Sequence, residues 1–271
     1  MAEPFGIVAG AVGIAAAFSA CVDCFDYVQQ APPFGRDFQT NVLTLDCARL
    51  RLTRWGEAVN VYGDPKLGRP AAPAGDVQPA KEILIHILEL FSKTNELSKN
   101  YKRNATSDDN LSVYKLDDLD AAVLALHGKL KDRANRRQKT GGILKITNWA
   151  IYGKEEFKEL VDGILVLIDN LEKLYPPPQH QERLLEEDLK IVDESEETVD
   201  DSLKSIAKAV LGGHRYTNVD IQGKAQTGDS FAQGWQGQMA GGSHTFDGVV
   251  VGPNAKAQLG NTFGQKGFWD D

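Results

Sequence analysis

The sequence predicts an all-α domain followed by a tail of stacked β-rungs, and three observations predict it. From about residue 37 to 211 one apolar helical period follows another. Residues 212–271 then carry thirteen of the 26 glycines. Inside that stretch Lys224-Ala225-Gln226-Thr227-Gly228-Asp229-Ser230-Phe231 returns thirty-two residues later as Lys256-Ala257-Gln258-Leu259-Gly260-Asn261-Thr262-Phe263, with five positions identical. Val219 and Ile221 lead into the first copy, and Val249, Val250 and Val251 into the second. Repeated Gln, Asn, Ser/Thr and Phe suit rungs about 4.8 Å apart, where amide ladders and ring stacks satisfy themselves. Chance similarity within low-complexity sequence is the competing account.

The helical elements follow in order. Phe38, Val42, Leu45, Leu50 and Leu52 predict a helix over 37–61, and Pro65, Pro70 and Pro73 make 63–77 a loop. Ile83, Leu84, Ile87, Leu88, Leu90 and Phe91 form a strong amphipathic stripe continuing toward Tyr101, and residues 103–112 break it. Leu116, Leu119, Val123, Leu124, Leu126 and Leu130 predict the next helix, with Asp117, Asp118 and Asp120 at its N-terminal end, where the macrodipole favours them. After Gly141-Gly142 a short helix is expected over 143–152. A longer one over 155–175 carries Ile164, Leu165 and Ile168 and ends at three prolines. Two more are expected over 181–211, the second with Leu203, Ile206, Val210 and Leu211 on one face. Leu84, Ile87, Leu88, Leu124, Ile164, Leu165 and Ile168 are the expected core. The domains are therefore 1–212, with an apolar N-terminal segment 1–25, and a tail 213–271 with pseudo-repeats at about 217–231 and 246–263. The tail has too little aliphatic content to fold alone and is expected to be disordered as a monomer.

A formal charge of -8 argues against a nucleic-acid binder. Locally, 129–145 hold seven basic side chains against one Asp, and 182–201 hold ten acidic against two basic. The acidic run reads as a solvated helix face. The basic run, with Lys129, Lys131, Arg133, Arg136, Arg137 and Lys139, is either another such face or an attraction to anionic lipid. Cys21, Cys24 and Cys47 are an odd number and point to a reducing compartment. Cys21-Val22-Asp23-Cys24 lacks a second ligand pair and reads as packing thiols, not a zinc or redox site. His86, His127, His180, His214 and His244 are scattered, and no catalytic or phosphate-binding motif occurs. No catalytic residue, metal or cofactor is expected, and no enzymatic activity. Pro4 to Val22 is nineteen residues without a charge, near the minimum that spans a bilayer. It suits either a buried helix of a soluble domain or a membrane segment.

Further residues carry a resemblance. Glu3-Pro4-Phe5-Gly6-Ile7-Val8-Ala9-Gly10-Ala11, Cys21-Val22-Asp23-Cys24-Phe25, Pro33-Phe34-Gly35-Arg36-Asp37 and Arg54-Trp55-Gly56-Glu57-Ala58-Val59 closely resemble the HeLo domain of the fungal HET-s/HET-S heterokaryon-incompatibility proteins. Arg136-Arg137-Gln138-Lys139, Trp149-Ala150-Ile151-Tyr152 and the ending Gly267-Phe268-Trp269-Asp270 are similar as well. The resemblance implies a HeLo-like helical bundle and a prion-forming tail whose two pseudo-repeats stack as a two-rung β-solenoid amyloid. It implies rung positions at Val219, Ile221, Lys224, Ala225, Gln226, Gly228, Asp229 and Phe231, matched by Val249, Val251, Lys256, Ala257, Gln258, Gly260, Asn261 and Phe263. Phe268 and Trp269 would close the segment.

It also implies a cell-death effector that is cytoplasmic at rest and reaches the plasma membrane on activation. Amyloid templating of the tail displaces the apolar segment, and Phe5, Gly6, Ile7, Val8, Val12, Ile14, Ala15, Phe18 and Val22 enter and permeabilise membrane. Implied partners are further copies of the chain, HET-s/HET-S-like relatives or an amyloid-seeding receptor, and membrane lipid. Two other readings stand beside it: an inert prion-forming regulator that triggers or antagonises an active relative, and a helical adaptor with a disordered tail. Two departures bear on the rungs. Gly252-Pro253-Asn254-Ala255 stands where the first copy has Gln222-Gly223, a two-residue shift that confines Pro253 to a corner or edge. Lys224 would face Lys256, and like charges in register weaken a rung.

Overall fold

The computed structural model describes residues 13–30, 37–69, 77–106, 111–139, 148–175, 180–196, 198–212, 214–217, 220–227, 244–247 and 249–259. The chain divides into two units, Met1–Leu211 and Gly212–Asp271. The first holds seven α-helices among the described residues: α1 (Ile14–Cys24), α2 (Asp37–Ala58), α3 (Gln78–Asn104), α4 (Ala121–Arg137), α5 (Lys154–Leu174), α6 (His180–Asp193) and α7 (Asp201–Gly212).

Helix α2 separates two apolar clusters. One face, through Leu45, Ala48, Leu52 and Trp55, joins α1, α3 and α5 around Phe18, Leu84, Leu88, Phe91, Ile164 and Ile168. The other face, through Phe38, Leu43, Cys47 and Leu50, packs on Val123, Leu126 and Leu130 of α4, Val192 of α6 and Ala207 and Leu211 of α7. Because both faces are covered, α2 also buries charge: Arg49, Arg51 and Arg54 are 3%, 5% and 2% exposed. Carboxylates meet each one. Arg49 grips Asp26 at 2.8 and 3.0 Å. Arg51 pairs with Asp169 at 2.5 Å and with Glu172 on the last turns of α5. Arg54 reaches Asp188 of α6 at 3.2 Å. Trp55 adds an indole N–H donated to the Tyr175 carbonyl at 3.2 Å, just past the end of α5.

Four expectations are corrected. Residues 149–151 form a strand, β2 (Trp149–Ile151), paired in parallel with β1 (Val28–Gln30), so the domain is not purely helical. Trp149, Ala150 and Ile151 are all buried, which the helix expected over 143–152 would not give with one face to solvent; residues 143–147 lie outside the described residues. Leu116 and Leu119 precede α4. The Lys115 amide donates to the Asp118 carboxylate at 2.7 Å, which sets a 3₁₀ turn over Leu116–Asp118 and delays the helix to Ala121. Leu124 and Leu165 lie at the edges of the clusters and are only partly buried, whereas Leu84, Ile87, Leu88, Ile164 and Ile168 are fully buried. The acidic run is not uniformly solvated, because Asp188 is 0% exposed and meets three arginines.

In the second unit the described residues form three pairs of parallel strands: β3 (His214–Thr217) with β6 (His244–Asp247), β4 (Asp220–Ile221) with β7 (Val250–Val251), and β5 (Lys224–Thr227) with β8 (Lys256–Leu259). The low aliphatic content predicts a lone tail without structure, but the structure pairs these strands within one chain.

Burial sets the core's sensitivity. Leu88→Ala should cost about 2–5 kcal/mol, and Leu124→Ala less than half as much, in urea denaturation of the full chain monitored by helical circular dichroism.

Candidate functional sites: the buried first helix and the paired tail strands

Helix α1 is built from small and apolar residues, IAAAFSACVDC, which let it approach its neighbours closely. From Ala17 to Cys24 every residue is buried, while Ile14 and Ala15 at its start are half-buried. Phe18 sits 6.4 Å from the Trp55 ring and 5.7 Å from that of Tyr62, the latter edge-on. The Phe18 ring lies so close to α2 that a Cβ on Gly56 would fall 2.3 Å from its tip, which explains the glycine beside Trp55. Past the helix end, Phe25 meets Phe91 of α3 edge-on at 5.1 Å. Polar atoms are satisfied locally: the Ser19 hydroxyl is 2.9 Å from the Tyr62 hydroxyl, and the Cys21 thiol donates to the Leu84 carbonyl at 3.0 Å. Asp23, 6% exposed, accepts from the Gln138 amide at 2.6 Å, and the same amide donates to the Ser19 carbonyl at 3.2 Å.

Of the nine residues assigned to membrane insertion, Ile14, Ala15, Phe18 and Val22 stand in α1, with Phe18 and Val22 fully buried. Phe5, Gly6, Ile7, Val8 and Val12 lie outside the described residues. Among the described residues no helix is long and apolar enough to cross a membrane. The three cysteines are free and buried, and burial pushes each thiol well above its ordinary value of 9.0. No group of three His, Cys, Asp or Glu among the described residues stands ready to hold a metal ion.

Strands β5 and β8 pair like with like, whereas the other two pairs are mixed, with Asp220 opposite Val250, Arg215 opposite Thr245 and Thr217 opposite Asp247. Lys224, Ala225 and Gln226 stand opposite Lys256, Ala257 and Gln258, and Thr227 opposite Leu259. Ile221 stands opposite Val251, and His214 opposite His244. The offset between partners is thus thirty residues in the first two pairs and thirty-two in the third. The extra two residues are absorbed in an arc at Gly252–Ala255, where the Gly252 amide donates to the Ile221 carbonyl at 2.8 Å and the Lys256 amide to the Gly223 carbonyl at 3.2 Å. Pro253 sits in the turn of that arc, where no ladder donor is required. Lys224 and Lys256, both exposed, hold the facing positions that the repeat spacing anticipates. Ile221 is 4% exposed and Val251 43%. Val249 is half-buried beside its strand. Val219, Gly228, Asp229, Phe231, Gly260, Asn261, Phe263, Phe268 and Trp269 lie outside the described residues.

The basic run is largely engaged within the domain. Arg137 pairs with Asp188 at 2.8 Å and Glu57 at 2.6 Å, Arg133 with Glu187, and Lys131 with Asp26 at 2.7 Å. Lys129, Arg136 and Lys139 are exposed and, among the described residues of the run, are the candidates left for a lipid-facing patch. A cleft of about 380 Å³ beside β1 is lined by Asp26, Asp46, Arg49, His127 and Lys131, and its charges meet one another. His127 and Asp46, for example, are 2.7 Å apart, and burial raises the Asp46 carboxyl despite its histidine neighbour. The Asp188 cluster escaped the sequence reading. Its available signal was three arginines, at positions 49, 51 and 54, inside an apolar helix, which require carboxylates without saying which.

Comparison with known proteins gives this geometry a family. A family model described as HeLo, prion-inhibition and propagation, matches residues 6–205. The chain belongs to the HeLo family. HeLo relatives include heterokaryon incompatibility proteins s and S of Podospora anserina, each 36% identical over 290 aligned positions and covering 100% of both chains. Among solved HeLo structures, the HET-S N-terminal domain is similar at 39% identity with a TM-score of 0.66, covering 78% of this chain and 92% of that one. A doubly substituted HET-s N-terminal domain is similar at 36% identity with a TM-score of 0.60, covering 73% and 97%.

Two outcomes follow for α1. Gly56→Ala should force Phe18 or α2 to shift and should destabilise the HeLo domain by about 1–3 kcal/mol, read by urea denaturation. The buried thiols also set a pH limit. Their folded pKa values lie above the unfolded one, so their contribution is intact below pH 9 and is lost as pH rises, when thiols ionise in the unfolded chain alone. Each fully ionised thiol should steepen the fall by about 1.4 kcal/mol per pH unit, and the Cys21→Ala, Cys24→Ala, Cys47→Ala triple variant should flatten it between pH 9 and 10.5.

Proposed function

We propose that this chain is an amyloid-controlled effector of fungal heterokaryon incompatibility. At rest it is cytoplasmic, with α1 packed inside the HeLo domain. A seed, whether another copy, a HET-s/HET-S-like relative or an amyloid-forming receptor, templates the tail into a β-solenoid. Stacking of the tail onto the seed, beyond the pairing present within one chain, displaces α1 and the apolar segment before it, and these enter and permeabilise the plasma membrane. The observation that carries this reading is the parallel pairing of the tail strands, with the duplicated Lys-Ala-Gln block in register across β5 and β8. Identical residues one rung apart can repeat between chains as they do within one, so this block presents the surface needed to recruit the next chain. Family membership and the names of the relatives support the biological setting.

The small-residue composition of α1 supports the membrane step. A helix of Ala, Ser and Cys with a few large apolar residues packs well in either solvent, and with Asp23 already near its end its insertion leaves little surplus to offset a second charge. Leakage of a dye from vesicles, with the full chain seeded by fibrils of residues 214–271, tests the reading. Ala15→Glu, at a half-buried position, should abolish leakage while fibrils still form. Val251→Pro should abolish both by deleting a ladder donor. Leakage that survives Ala15→Glu rejects insertion of this segment.

A further inference from the structure

We propose that Arg54, Asp188 and Arg137 are positioning residues that relay loss of the last turn of α7 to α1; this rests on the reading above and names the linkage between its two ends.

The path is continuous. The Leu211 carbonyl, in the final turn of α7, accepts from Nη2 of Arg54 at 2.5 Å. Nη1 of Arg54 donates to Oδ2 of Asp188 at 3.2 Å, and Nη1 of Arg137 donates to that same oxygen at 2.8 Å. The next residue, Gln138, caps the end of α4 and donates to Asp23 and to the Ser19 carbonyl of α1. The side chains of Arg54, Asp188 and Arg137 are 2%, 0% and 3% exposed, so their charges interact with little solvent between them.

One carboxylate oxygen shared by two guanidiniums makes the path responsive. Arg51 has two carboxylates of its own, Asp169 and Glu172, and these hold its guanidinium above the ordinary value in spite of burial. Arg54 has a share of one carboxylate and a backbone carbonyl, and burial lowers it. When α7 unwinds and the Leu211 carbonyl leaves, Arg54 is a buried cation short of an acceptor, and the acceptor within reach is Asp188. Arg137 then falls back on Glu57, which is 44% exposed at the rim of the domain. Arg137 and Gln138 share the last turn of α4, so the Gln138 bonds to α1 are lost in the same movement. Helix α1 is ready to respond, because Gly13 gives it no side-chain N-cap.

A chain of contacts becomes a pathway only when its members are energetically coupled. The measurement is site-resolved iodoacetamide labelling of the unseeded full chain, with Cys21 and Cys24 reporting α1 and amide exchange in Leu160 to Ile164 of α5 reporting opening of the whole domain. Gln138→Leu and Asp188→Asn should each speed labelling of Cys21 and Cys24 by about tenfold with that exchange unchanged, and the double variant should be no faster than the faster single. Effects that multiply in the double variant overturn the relay, as does Asp188→Asn speeding α5 exchange as much as Cys21 labelling. If Asp188→Asn does not fold, Gln138→Leu decides through reciprocity. Amide exchange in Lys208 to Leu211 must rise by the same factor, and unchanged exchange there rejects the proposal. In a final arm, tail fibrils should speed Cys21 labelling in the unsubstituted chain and add nothing in Gln138→Leu. Fibrils that recruit no chain sink the proposed function alone, because the unseeded arms still judge the relay.

Discussion

The charged interior of α2 is the constraint on which the helical domain depends. A helix covered on both faces has no solvated side for Arg49, Arg51 and Arg54, and an unpaired buried cation is costly enough to force each one onto a carboxylate. Those carboxylates come from the turn after α1, from the end of α5 and from α6. The places where α5 and α6 lie against α2 are therefore set by charge as well as by apolar contact. A buried ion pair adds little net stability over a well-packed apolar substitute, but breaking one is severe, so these contacts favour one arrangement over others of similar apolar burial.

Helix α1 is held by different means. Its contacts are mostly shape: a phenyl ring over the backbone of Gly56, two aromatic partners, and a thiol on a carbonyl of α3. Its one buried carboxylate, Asp23, accepts from the neutral Gln138 amide at the end of α4. A segment secured by small-residue packing with its own acid bonded to an amide can leave without stranding a buried arginine, which suits an element whose proposed role is to depart.

In the tail the problem is one of register. The two Lys-Ala-Gln blocks meet only if a surplus is accommodated, because the second copy is two residues longer between its valines and that block. The chain meets this by bulging the surplus into an arc that contains Gly252 and Pro253, so Ile221 still meets Val251 and the two Lys-Ala-Gln blocks still meet each other. A Cβ at Gly252 would stand 2.8 Å from Oε1 of the exposed Gln222 and 3.3 Å from the Ile221 carbonyl, so a larger residue there fits only if the Gln222 side chain swings away.

By itself the sequence determined the periodic features. Helical spacing located α2, α3, α5, α6 and α7, and the repeated octapeptide located β5 opposite β8, because amphipathic period and direct repetition are written in local order. Tertiary structure decided what depends on partners distant in sequence. Trp149-Ala150-Ile151 is a strand because β1, more than a hundred residues earlier, offers an edge, and α4 starts late because a carboxylate claims the Lys115 amide. Asp188 is buried among arginines while Glu186, Asp193, Glu194 and Glu196 of the same run stay exposed. No local pattern separates them, since which carboxylate is drawn inward depends on where α2 places its guanidiniums, and that is settled only when the helices pack.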